Sequence, residues 1–102
     1  MKDEESEAAL HPSAMTIPEA FQIAVQRHRA GRLAEAEALY RQILAAQPNH
    51  ADAAHSLGVI ALQVGRHDAA IEWMRKAIAL DPNHGDAQLN LGAAYRVSGR
   101  LG

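Results

Sequence analysis

The chain has 102 residues, a formal net charge of −2 and a pI near 6.3, which bounds it to one domain and leaves no broad basic surface for nucleic acid or anionic lipid. It has no cysteine, so disulfide staples, thiolate metal sites and cysteine nucleophiles are excluded. Apolar residues make up 48% of the chain but aromatics only 4%, a balance that favours closely approaching, alanine-rich helices over a bulky core.

Residues 1–15 carry Asp3, Glu4, Glu5 and Glu7 with little to bury, and Pro12 interrupts them. They read as a disordered acidic tail. Met15 stands just before the first ordered element and is a second candidate start. The opening run has neither the basic start nor the apolar core of a secretory signal, and no stretch reaches the length of a membrane span. A soluble cytoplasmic chain is expected. Order begins at Thr16-Ile17-Pro18-Glu19. Thr16 can accept from a free amide of the first turn while Glu19 reaches back, a capping box, and Pro18 falls where its missing donor costs nothing. The helix that follows is expected to run to about Ala30, and Gly31 ends it as the residue type suited to a left-handed cap.

A second helix is expected over Leu33 to Ala46, with Ala36, Leu39, Tyr40, Ile43 and Leu44 as one apolar stripe. Pro48 stops it, and either Asn49 or His50 caps the next helix, with Asp52 placed in its first turn. That third helix, about 51–64, is expected to bury Ala54, Leu57, Gly58 and Ala61. A glycine inside a helix is destabilising by about 1 kcal/mol against alanine, so Gly58 implies a side chain packed where its Cβ would be. Gly65 closes the helix. A fourth follows from about His67 to Leu80 on Ala70, Met74, Ala77 and Ile78, and a fifth over about 85–98 on Leu91, Gly92 and Tyr95. Gly99-Arg100-Leu101-Gly102 then opens a turn toward a sixth helix, so the chain is expected to stop in mid-repeat.

One offset of 34 residues runs through all of this. Pro48-Asn49-His50 returns as Pro82-Asn83-His84, Gly31-Arg32 as Gly65-Arg66 and Gly99-Arg100, Leu57-Gly58 as Leu91-Gly92, Asp52-Ala53 as Asp86-Ala87, and Ala36 as Ala70. A fixed period of this length is the mark of a helical repeat array. The residues also resemble a known family, the tetratricopeptide repeat: Leu57-Gly58, the Gly65 turn, Ala70 and Met74, then Asp81-Pro82-Asn83, with Tyr40 and Tyr95 at positions that favour large aromatics. The first repeat departs from the pattern, with Ile23-Ala24 in place of Leu-Gly and Arg27 at a usually aromatic position. The resemblance implies an all-α fold over 16–102, with antiparallel helix pairs wound into a right-handed solenoid: repeats 17–50 and 51–84, and the first helix of a third over 85–102. It also implies that the first helix of each pair lines a concave groove holding a peptide or partner protein.

On that reading the groove candidates are Phe21, Gln22, Val25, His28 and Arg29 of the first helix, and Asp52, His55, Ser56, Val59 and Gln63 of the third. From the fifth come Asp86, Leu89, Asn90, Ala93 and Arg96. Phe21, Val25, Val59 and Leu89 either form an apolar strip with polar flanks or pack between repeats. The groove has no lysine, and only Asn90, Arg29 and Arg96 of the residue types that grip chaperone-tail carboxylates in this family, so that clamp is not expected. The Ala-rich repeats also look similar to those preceding the catalytic region of bacterial relatives of O-linked N-acetylglucosamine transferases, although Asn90 is the single rung of their asparagine ladder.

No cofactor, metal or catalysis is expected. His55 follows His50 by five residues, not by the three or four that stack two ligands on one helix face. Ser56 is adjacent to His55 on a helix and points about 100° away from it, so a serine–histidine nucleophile pair cannot form. Trp73 is expected at a repeat edge, partly buried, in preference to forming a convex binding spot. The expected partner is a protein or peptide, with neither nucleic acid nor membrane. The fifth helix keeps Leu91, Ala94, Tyr95 and Val97 on a face that self-association or further polypeptide would cover.

Overall fold

The structure, a computed structural model, describes residues 15–99. Five helices follow one another: α1 (Ile17–Arg29), α2 (Leu33–Ala46), α3 (Ala51–Gln63), α4 (His67–Leu80) and α5 (Gly85–Ser98), with no strand among the described residues. The acidic tail expected over 1–15 lies outside the described residues except for Met15, which packs against the core. The turn expected over Gly99–Gly102 is described only at Gly99.

Each boundary has a local cause. Thr16 Oγ1 accepts from the Glu19 amide at 3.2 Å and Glu19 Oε1 accepts from the Thr16 amide at 3.0 Å, which completes the capping box on α1. At its other end the Arg32 amide reaches back to the Arg27 carbonyl and the Gly31 amide to that of His28. The same pair of bonds closes α3, from Arg66 to Ala61 and from Gly65 to Leu62. This two-bond cap requires a left-handed residue, and Gly31 and Gly65 supply it at φ +81° and +83°. The sequence left Asn49 and His50 open as caps of α3. His50 takes the role, its Nδ1 accepting from the Ala53 amide at 3.0 Å, and His84 repeats it on α5 with Ala87 at 3.1 Å.

The helices pack on their neighbours in the chain: α1 on α2, α3 on α4, α4 on α5, and α2 on α3 between the pairs, with a lighter contact from α3 to α5. The stripe Ala36, Leu39, Tyr40, Ile43 and Leu44 is buried entire, as are Ala54, Leu57 and Ala61. Gly58 answers to its expected cause, since a Cβ there would meet Met74 Cε at 2.8 Å and Sδ at 2.9 Å. In α4 the stripe needs one correction: Ile71 is buried and Ile78 only partly so, packed against the core from its edge. In α5 only Ala87 and Ala94 are buried; Leu91, Gly92 and Tyr95 are half-buried. Gly92, in the register of Gly58, has no opposing Met among the described residues; the nearest of their atoms to a Cβ there is Arg96 Nη1 at 3.7 Å. Trp73 is half-buried against the core, with Arg41 5.7 Å and Lys76 5.5 Å from its ring centroid.

Candidate functional site

Because α1, α3 and α5 are the first members of successive pairs, their free faces fall side by side. Between α1 and α3 lies an open depression of about 440 Å³ lined by Val25, His28 and Arg29, by Tyr40 of α2, and by His55, Ser56, Val59 and Gln63. Of the sequence candidates it gathers Val25, His28, Arg29, His55, Ser56, Val59 and Gln63. A second, shallower depression of about 820 Å³ opens at the N-terminal ends of α1 and α3, on Phe21, Gln22, His50 and Asp52 with Ile17, Pro18, Ala46 and Gln47. On α5, Asn90 joins this surface through His55, while Leu89 (70% exposed), the half-buried Ala93 and the exposed Arg96 line neither depression. Phe21 differs from the other apolar candidates. It is half-buried, set edge-on to Tyr40 at 5.6 Å and stacked on His50 at 5.3 Å, so it packs between elements while its rim faces the second depression.

Polar bonds stitch the three helices together across this face. His28 Nε2 meets Gln63 Oε1 at 2.5 Å, joining α1 to α3. The Asn90 amide nitrogen lies 2.9 Å from His55 Nε2, joining α5 to α3. His84 Nε2 is 2.7 Å from Asp52 Oδ1, and the His84 and His55 rings are 4.8 Å apart. Burial pushes the Tyr40 phenol above its ordinary range, opposed by its Ser56 hydrogen bond and the nearby Arg29 charge. Burial also holds His55 below the usual imidazole range; the neighbouring His84 adds to this, and Asp86 and Asp52 oppose it.

Ser56 therefore engages Tyr40, and Asp52 engages His84, on either side of His55. Among the described residues no group of three or more His, Asp or Glu is placed to hold a metal ion, and no helix is long and apolar enough to cross a membrane. Sequence reading offered His50 as a cap but missed Tyr40 as a lining residue and the work done by His84, which caps α5 and meets Asp52. The available signal for His84 was its position, immediately before a helix, where Ser, Thr, Asp or Asn ordinarily caps.

A tetratricopeptide-repeat family model matches residues 27–84, more than half of the chain. The chain belongs to the tetratricopeptide-repeat family. Among solved structures this repeat protein is similar to the crystal structure of MamA, with a TM-score of 0.79 and 25% sequence identity. The match covers 83% of this chain and 50% of that one, so the chain spans half the length of the MamA chain. No curated protein matches it. The fold is accordingly a tetratricopeptide-repeat solenoid of antiparallel helix pairs, in which α1, α3 and α5 are the first helices of successive pairs. Proteins of this family are protein-interaction scaffolds, and that coarse role carries over.

Proposed function

We propose that the chain is a non-catalytic interaction module that holds a peptide or helical segment of a partner protein in the groove of α1, α3 and α5. The observation that carries this reading is the depression between α1 and α3: Val25 and Val59 are half-exposed inside a ring of hydrogen-bonding side chains, and Leu89 on α5 is 70% exposed. Apolar anchors with polar flanks are what an amphipathic segment needs for both affinity and register. A cytoplasmic location belongs to the same reading and rests on composition. The test is selection of binders from a displayed peptide library, followed by calorimetry on the wild type, Val59→Glu and Asn90→Ala. A selected groove binder should lose at least about tenfold in affinity on Val59→Glu, as a charge buried in an apolar contact demands. Equal affinity for a folded Val59→Glu would overturn the proposal.

Self-association through α5 is the second reading, supported by the exposure of Leu89 (70%) and Val97 (58%) on that helix. Concentration-dependent sedimentation would support it, and a monomer at every concentration would remove it. The third reading, a substrate-handling segment of a glycosyltransferase-like protein, has only the likeness of its repeats. Its one asparagine rung, Asn90, is bonded to His55.

A further inference from the structure

We propose that the junction of α3 with α5 is a proton-operated latch, which loosens α5 and so opens the Leu89–Asn90 side of the groove as pH falls below neutral. Its effect on a bound peptide rests on the groove reading above; the latch itself does not.

The chemistry follows from which nitrogens are already committed. A backbone N–H can only donate, so the Ala87 amide at 3.1 Å requires a lone pair on His84 Nδ1. The neutral ring then carries its proton on Nε2 and donates it to Asp52 Oδ1 at 2.7 Å. One imidazole thus caps α5 and ties that cap to α3. On the next ring the Asn90 amide nitrogen donates to His55 Nε2 at 2.9 Å, so this nitrogen too is an acceptor. Both lone pairs in use are the places a second proton would go. A proton on His84 Nδ1 turns the α5 cap into two N–H groups facing each other. A proton on His55 Nε2 obliges the Asn90 amide to turn over, and it sets a positive charge beside the His84 ring, 4.8 Å away between centroids.

Charged groups facing His55 are Asp52 of α3, Asp86 of α5 and His84 of the turn between α4 and α5. The two carboxylates favour a proton there, while burial and His84 oppose it, with burial the larger. The folded chain therefore prefers the neutral ring more than the unfolded chain does. The stability this preference confers is complete above an ordinary imidazole value of about 6.5 and is lost as pH drops below it.

The preceding repeat supplies an internal control. His50 caps α3 as His84 caps α5, and it also stacks on a ring from the first helix of the preceding pair. There the ring is Phe21, in the register of His55, and Pro18 stands in the register of Asp52. The same contact is made once with a phenyl group and once with a titratable imidazole. Only the second junction holds two imidazoles in contact.

The test uses the full chain. Nitrogen-15 spectra at pH 7.5 should show His84 protonated on Nε2 and bare on Nδ1. Amide exchange, corrected for intrinsic rates, should show α5 protection falling about tenfold relative to α2 between pH 7.5 and 5.5, the scale of one lost helix cap. His55→Phe recreates the Phe21 contact and His84→Asn keeps a capping side chain while removing the second ring; together they should abolish the fall, and His50→Asn should leave it intact. Unchanged α5 protection in the wild type, a protonated His84 Nδ1 at pH 7.5, or a fall that survives in the double variant would each overturn the latch. The peptide selected on the groove should bind several-fold more weakly at pH 5.5. If α5 loosens while that affinity holds, the latch stands and the groove reading fails.

Discussion

At the scale of single residues, Gly58 and Gly92 separate what a repeat inherits from what its surroundings require. They share a register, yet a methyl group at Gly58 would run into Met74, whereas at Gly92 it would meet, among the described residues, only Arg96 Nη1 at 3.7 Å. Replacing a helical glycine by alanine removes an entropic penalty of about 0.5–1 kcal/mol. Gly92→Ala should therefore stabilise the chain by about that much. Gly58→Ala should forfeit the gain, because Met74 is fully buried and can yield only by repacking, and overpacking a core is destabilising by about 1–3 kcal/mol. Urea melts of the two variants check this, and equal shifts would contradict it. Tyr40 offers a second test. Its phenol prefers to stay neutral in the fold, so stability holds below an ordinary tyrosine value of about 10 and declines as pH rises above it. In Tyr40→Phe the alkaline decline attributable to this phenol should be gone, as read from melting temperature between pH 9 and 11.

At the scale of elements, the helices could be read from the sequence because their limits are set by neighbours a few residues away. The Thr16–Glu19 box, the left-handed Gly31 and Gly65, and the apolar stripe of α2 are all local or periodic features. The bonds of the candidate site were not legible in the same way. His28 with Gln63 and His55 with Asn90 each join residues 35 apart, and Asp52 with His84 joins residues 32 apart. The 34-residue period brings such residues near one another, but the choice of partner depends on side-chain rotamers that a pattern of residue types does not contain. Phe21 is the instructive case. Its register is that of the groove, and its size carries it inward onto Tyr40 and His50. The caps make the element-scale prediction. His50→Ala should destabilise the chain by about 1 kcal/mol, since it strips the acceptor from the Ala53 amide, whereas His50→Asn should restore most of that. Thermal melts at pH 7.5 distinguish the two, and an alanine variant as stable as the asparagine one would show that the capping bond contributes nothing.

For the whole molecule, stability is a sum over neighbouring interfaces, because each helix pair can bury its apolar face only against the next. The described part of the array fills these interfaces unevenly. Met74 of α4 closes over Gly58 of α3, but the space over Gly92 has no such occupant, and Leu91 and Tyr95 beside it are only half-buried. A chain extended in register by one helix should complete the interface, with a methionine 34 places beyond Met74 and a polar outer face. Burying the remaining surface of three side chains such as Leu91, Tyr95 and Val97 would contribute a few kcal/mol at about 25 cal/mol per Å², which for a domain of this size raises the melting temperature by roughly 10 °C. The decisive comparison is with the same extension carrying alanine in place of that methionine. Both add equal helix, so a gain that follows helix content alone would appear in each. A gain that depends on filling the Gly92 space should fall by about half or more in the alanine version, by the large-to-small penalty of a buried methionine. If the two extensions melt together, packing over Gly92 is not what limits the stability of α5.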